Sequence, residues 1–524
     1  MFKKITENLF EFGYFVVLSL AGLVLTFLAL QSLIGGTYIP LEIAERIEFH
    51  SNPWYFYPLL PLFILLLFFS RRWLEKISEK QLFLMGSLCY LLAAAYLIFN
   101  INGLIRADAK QVFNAAIAFN KGQYDTLTTV GAYLYRNPHQ LGLVTLERFY
   151  VALHPSPRLI FIFNLFFTLG NNFLLYKITD KLLGRSLVNK YTILLSFLFF
   201  PHFFFITFAY GSTPGIFFAL FALYQLICLE QSGSWTSLFL AGIGISLACL
   251  IRNNYFIFGL TLLACLLLSL FHDWKWKKIL AMVVILLGMT LPNKALTSYY
   301  EGVIGQPIGE GTPKIAYITM GLRDDPNRQT LGGWYDAYNT KILKRNKYDE
   351  KKASQMAIHD FKKLIANFVQ KPAYAAKFFY EKIKSTWTEP TFQSIWTGPQ
   401  LERNQKTKTA LLQSIYEEKT GYQVLNLIGM IFLVTIYLLV AAFILHRLFW
   451  SREGLRPFSL YPYIFFLGGF FFHIFWETKS QYVYVYLLLL LPVAARALNW
   501  LSQQFPPQQE KNRRTEQEHF VDEQ

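Results

Sequence analysis

Charge is what this chain has least of: 16% of its 524 residues are Asp, Glu, Lys or Arg, against 54% hydrophobic. With a mean hydropathy of +0.32, that shortage excludes an ordinary soluble domain, in which about a quarter of the residues are charged. Cysteine is scarce as well. Cys89, Cys228, Cys249 and Cys265 all fall in apolar runs, without metal-ligand spacing, so they read as small core residues and neither a disulfide framework nor a zinc site is expected. There is no P-loop and no HExxH. The Gly-x-Gly of "GIGIS" at 242–246 lies inside an apolar run, where close helix packing accounts for it better than a phosphate does.

What the chain does have is apolar length. A bilayer core of about 30 Å takes roughly 20 apolar residues per helix, and about twelve runs of that order can be placed. They are 14–34, 54–70, 82–101, 157–176, 191–209, 213–229, 236–251, 254–271, 278–292, 424–446, 457–476 and 481–499. The expected fold class is therefore an all-α polytopic membrane protein with a mainly helical, α or α/β soluble part.

Acidic residues are outnumbered, 33 against 49 Lys and Arg, for a net charge of +16. That excess could suggest nucleic acid, but its placement points to a bilayer. Lys3 and Lys4 precede the first run; Arg71, Arg72, Lys76 and Lys80 follow the second; Lys177, Lys181, Arg185 and Lys190 follow the fourth. Lys275, Lys277 and Lys278 follow the eighth, Arg447, Arg452 and Arg456 the tenth, and Lys511, Arg513 and Arg514 the last. With twelve crossings all these clusters share one side, which the positive-inside rule makes the cytoplasm, both termini included. The first run has a basic flank but no A-x-A-like cleavage site, so it is expected to be a retained anchor. The lipid bilayer is an expected partner and nucleic acid is not.

The expected organisation is a transmembrane module over 1–292 with an outer loop at 102–156, an extracytoplasmic domain over 293–423, further transmembrane helices over 424–500, and a disordered, Pro/Gln-rich cytoplasmic tail over 501–524. Within the domain, "KKASQMAIHDFKKLIANFVQKPAYAAKFFYEKIKSTW" repeats its apolar residues at three and four. It puts Phe361, Leu364, Phe368, Tyr374, Phe378 and Phe379 on a face suited to the membrane part or the interface.

Polar residues at the outer ends of spans are where a site has to be sought. Asp108, with Arg106 and Lys110, lies just beyond the third run, and "YRNPHQLG" at 135–142 follows in the same loop. "YGSTPG" at 210–215, Arg252 with Asn253 and Asn254, and "WETKSQY" at 476–482 are the later outer turns. Each has a plainer reading: Arg252 as a snorkelling cation, Glu477 and Lys479 as a solvated pair, 210–215 as a mere turn. Asp108 is set apart by following an apolar run so closely among cations that would keep it ionised.

Together, in this order, these pieces resemble the GT-C superfamily of multi-spanning glycosyltransferases, which includes the protein O-mannosyltransferases and the lipid A aminoarabinose transferases. "IRADAKQVFNAA" followed by "YLYRNPHQLGLVTL" is similar to the first outer loop of bacterial members, with its acidic residue. "LACLIRNNYFIF" resembles their Arg-containing hairpin, and "HIFWETKSQYVYVYLLLLLPVAA" their closing element, with Gln481 where an Arg often stands. No Asp-x-Asp follows Asp108. No cofactor is expected, and a divalent metal is left open.

The resemblance implies a sugar donor on a polyprenyl phosphate. This agrees with an outward site that cytoplasmic nucleotide sugars do not reach. The expected activity is inverting transfer to a cell-envelope acceptor (polysaccharide, glycolipid or protein) at a multi-pass cell-membrane enzyme. Asp108 would be the general base. Arg252, then Lys479 and Arg106, would bind the departing phosphate. His139 would bind acceptor or donor sugar, with Tyr210, Glu477 and Tyr482 as supports. The alternatives are a transporter or flippase of a lipid-linked sugar or other amphiphile, and a structural membrane subunit.

Overall fold

The computed structural model describes residues 2–42, 45–324, 330–398, 407–450 and 456–504, with residues 2–4 described in backbone only. The side chains of Lys3 and Lys4, Arg452, and the expected tail beyond Gln504 with Lys511, Arg513 and Arg514 lie outside these. The described residues are mostly helical, as the run lengths require. Among the described residues ten helices are long and apolar enough to cross a membrane.

Three expected runs differ. The run at 191–209 is a bent pair, Ser186–Leu198 and Phe200–Thr207, with 56° between the two helices. Phe199 leaves helical geometry at ψ 77, and Pro201 sits in the first turn of the second helix, where its missing N–H is no loss. The run at 236–251 is the helix Trp235–Ile251, only 17 residues long. The run at 278–292 continues through Pro292 to Ile304, so the large polar connection starts about a dozen residues later than the run length indicates.

Local signals set the ends of the helices. Ser78 and Gln81 form a capping box that starts Glu79–Asn100, satisfying two free N–H groups reciprocally. Ser156 caps Pro157–Leu183, with Pro157 itself at the first helical position. The last span, Ser480–Gln504, is apolar nearly all round over Val483–Leu491, the signature of a helix buried on every side. It is the centre of the bundle: 83% of its apolar window is buried, against 17% for Phe56–Leu74 at the periphery.

The connections gather at two ends. At one end lie 35–42, 45–55, 101–156, 208–211, residue 252, 305–324, 330–398, 407–419 and 476–479. They touch one another through Thr37 and Thr388 (Oγ1 to Oγ1, 3.0 Å), Tyr133 and Tyr210, and Glu45 and Lys479. At the other end Arg71 donates to the Ser502 carbonyl at 3.0 Å and Arg456 to that of Leu182 at 2.8 Å. Lys278 pairs there with Glu230 at 3.0 Å.

The first-named end is built, not looped. Residues 102–156 are mostly helical, with Ala107–Asn120 packed on Leu141–Leu153. An antiparallel hairpin that an all-α reading does not anticipate pairs Gly35–Tyr38 with Glu48–Ser51. The segment 388–398 is buried almost completely, and the carboxylate of Glu389 holds it in shape. That carboxylate accepts from the Thr391 N–H (2.9 Å) and hydroxyl (2.6 Å), the Gln393 N–H (2.6 Å) and the Ser480 hydroxyl (2.8 Å). Phe392 and Gln393 both take φ +51, left-handed geometry that side chains resist, inside the turn that Glu389 holds.

Candidate functional site

Asp108 stands in the first turn of Ala107–Asn120, where the helix terminus favours negative charge. Val112, Ala115, Ala116 and Phe119 further along that helix are buried, while Asp108, at its first turn, is exposed. Its Oδ2 accepts from the Tyr210 hydroxyl at 3.5 Å, the long limit of a hydrogen bond. The residue is exposed at the surface, yet the protein crowded around its carboxyl costs it hydration, and this raises its pKa. The charges of Lys479 and Arg136 and the Tyr210 hydroxyl act the other way without cancelling the rise. The cations that bear on Asp108 are thus Lys479 and Arg136, not the neighbours in sequence.

Tyr210 is the hub. Its hydroxyl also meets the Tyr133 hydroxyl at 3.1 Å and accepts from the Gln140 amide at 2.9 Å. The turn that presents it depends on Gly211, at φ +75, where a Cβ would stand 3.1 Å from the Ile251 carbonyl. Gly142 permits a closer approach still: a Cβ there would fall 1.9 Å from the Leu250 carbonyl. These two positions let three connections meet. Arg252 completes the meeting, because its Nη1 donates to the Tyr210 carbonyl at 3.0 Å and to the Ser212 hydroxyl. Its guanidinium lies 5.2 Å from the Tyr210 ring and 5.9 Å from the Tyr482 ring, within cation–π range. Arg252 lines a recess with Ser212, Asn254, Tyr255, Gln481 and Tyr482, and Phe465 and Val485 supply an apolar wall.

On the other flank Lys479 holds both carboxylate oxygens of Glu45, at 2.7 and 2.9 Å, and lies 5.2 Å from the Tyr335 ring. Glu45 also accepts from the Gln393 amide at 3.1 Å. Burial works against the Lys479 charge, but Glu45, Glu477 and Asp108 outweigh it and raise its pKa. Glu477 is buried with Oε1 unpartnered. Burial pushes its pKa up to about 7, against the pull of Lys479, with Glu45 and Asp108 adding to the rise. Behind it, Lys382 donates to the carbonyls of Gly321 (2.5 Å), Ile474 (2.9 Å) and Trp476 (2.9 Å). Those bonds fasten the 305–419 connection to the 476–479 turn.

Asp108, Tyr210, Arg252, Glu477, Lys479 and Tyr482 therefore belong to one cluster. Arg106 is turned aside, its guanidinium 3.8 Å from the Trp396 ring and donating to the Trp396 carbonyl. His139 contacts Gln140 at 3.3 Å, one residue removed from the hub. The residue is exposed by surface area, and crowding by neighbouring protein with the charge of Lys314 lowers its pKa. Glu45 and Gln393 carry no local signal that marks them. Arg136 is different: it stands inside the quoted "YRNPHQLG", where a cation facing the Asp could have been sought.

Among the described residues, no group of three His, Cys, Asp or Glu side chains could hold a metal ion. What the cluster offers is a carboxylate of raised basicity at one end of Tyr210 and a fixed guanidinium at the other. No protein-family model, curated protein or solved structure matches the chain.

Proposed function

We propose that this protein is a polytopic membrane transferase of the GT-C type. It moves a sugar from a polyprenyl-phosphate donor to a cell-envelope acceptor at the end where Asp108 and Arg252 meet. The bent pair and Trp235–Ile251 each count as one crossing, which makes twelve. The shorter helix reaches about 25 Å, near the lower limit for a span. The cation clusters then set the Asp108 end outward, and the 305–419 connection is an extracytoplasmic domain seated over it.

The observation that carries the reading is Tyr210, whose hydroxyl meets the Asp108 carboxylate and whose carbonyl accepts from the Arg252 guanidinium, next in the chain to a small recess that Arg252 lines with polar and apolar neighbours. A guanidinium set between polar and apolar side chains has the chemistry to meet a phosphate head and the start of a lipid chain. In the reaction Asp108 takes the acceptor hydroxyl proton as that oxygen attacks the anomeric carbon, and polyprenyl phosphate leaves from the opposite face. Arg252 steadies the charge gathering on the leaving phosphate. Lys479, already paired with Glu45, tunes the field at Asp108 and is not free to grip phosphate. A raised carboxyl pKa strengthens a base, provided it still ionises at the working pH.

The test is Asp108→Asn, which keeps shape and cannot accept the proton. Glycosyl transfer from a polyprenyl-phosphate donor should fall by at least about a hundredfold, with normal abundance in the membrane. Transfer at the parent rate would remove Asp108 from the chemistry. A second reading, a flippase for a lipid-linked sugar, draws support from the break at Phe199, since broken helices are a feature of transporters. Translocation of such a lipid by reconstituted protein, unaffected by Asp108→Asn, would favour it.

A further inference from the structure

The helix Glu350–Gln370 has two apolar faces, and only one of them is used. Ala353, Ala357, Leu364 and Phe368 pack inward. The outer face repeats Ile358, Ile365 and Val369, which are 41%, 37% and 76% exposed. Spacings of seven and four keep those three on one stripe. Lys362 lies beside the stripe, Lys363 further round the helix and Lys371 just past its end, all exposed. From 351 to 384 the chain carries eight lysines against Asp360 and Glu381.

The depth of this unit is fixed by its second helix. Pro372–Trp387 folds back on the first through Phe368, whose ring lies 5.1 Å from Phe378 and 5.3 Å from Phe379. Tyr380 on that second helix donates to Gln31 Oε1 at 2.5 Å and sets its ring 6.5 Å from Phe27. Both partners belong to the candidate span Ile5–Ile34. Phe27 lies about 10 Å below the end of that span at 1.5 Å per residue. A helix touching Phe27 is at the level of the bilayer interface, not in bulk water. Exposed Ile and Val rimmed by Lys at that level have the composition of an interfacial helix that attracts anionic lipid.

We infer that the 350–387 helical hairpin seats its Ile358, Ile365 and Val369 stripe in the headgroup layer of the bilayer that holds the spans, with Lys362, Lys363 and Lys371 on anionic lipid headgroups. The inference is independent of the transferase reading.

The full chain carrying Cys89→Ser and Cys228→Ser is placed in nanodiscs, with a nitroxide at Val369→Cys or, as a water reference, at Lys344→Cys. Collisions with oxygen and with a water-soluble nickel chelate are compared in phosphatidylcholine and in phosphatidylglycerol. At 369 the oxygen-to-nickel ratio should exceed that at 344 by at least about threefold, as for a residue held in the headgroup layer. Phosphatidylglycerol should widen the gap, and Lys362→Gln/Lys363→Gln/Lys371→Gln should abolish that widening. A ratio at 369 equal to that at 344, or one indifferent to phosphatidylglycerol, overturns the inference.

Discussion

Replacing Glu45 or Lys479 by Met should destabilise the protein unequally, and the inequality can be worked from their surroundings. The two side chains are 7% and 13% exposed and meet at 2.7 Å, so the pair is hardly screened. At an effective dielectric near 20 the attraction is about 5–6 kcal/mol, and the loss of hydration offsets several kcal/mol for each ion. The pair itself is thus near balance, but removing one partner strands the other, at a cost of about 3–5 kcal/mol. Glu45→Met should fall at the lower end, because Glu477 and Asp108 still bear on Lys479. Lys479→Met should fall at the upper end, because it leaves three carboxylates without the cation they share. The double variant should recover part of what Lys479→Met loses, since one stranded charge goes with it. The assay is the fraction surviving heating in detergent at pH 7, read by size-exclusion chromatography for all four corners of the cycle. Additive losses, or a Lys479→Met milder than Glu45→Met, would refute the account of the cluster as one electrostatic unit.

Three further outcomes are expected. Arg252→Lys keeps the charge and loses the planar fork, so transfer should fall for Lys and fall further for Ala; full activity in Arg252→Ala would leave the residue a mere anchor. Glu477, at about 7 instead of 4.5, holds its proton more tightly folded than unfolded. Its contribution is therefore fully present below about pH 4.5 and lost as pH rises to about 7, about 3 kcal/mol in all. Glu477→Gln should flatten the melting temperature over that window, and an unchanged slope would place the titration elsewhere. Cysteines introduced near 120 and 340 should react with an impermeant reagent from outside intact cells, and labelling only after lysis would reverse the orientation.

Much of the fold is legible in the sequence because a bilayer imposes one length on every crossing. Run length therefore placed the spans, and where it erred the cause is local. Pro201 within "LFFPHFFF" is a visible breaker inside an otherwise uniform run, whereas Pro292 is absorbed in a helix that continues to Ile304. A proline at a helix start costs nothing, and the one at 292 sits within a helix that runs on past it. The site was partly legible, since Asp108, Tyr210, Arg252 and Lys479 sit at span ends where polar residues stand out. Glu45 did not stand out. It belongs to a short polar connection, and its significance comes from Lys479, far along the chain. Lys382 reads as the wet face of an amphipathic helix and is buried instead, because three backbone carbonyls take its protons.

The bond between Glu45 and Lys479 spans 434 positions of the chain. At about 5–20 residues per second, the ribosome needs roughly 20–90 s after making Glu45 to reach its partner. Throughout that interval the carboxylate waits without its cation, and the turn that presents Asp108 to Lys479 does not yet exist. A nascent chain therefore lacks the closed cluster until its last helix enters the bundle, and a product cut short before Lys479 carries the earlier spans without it.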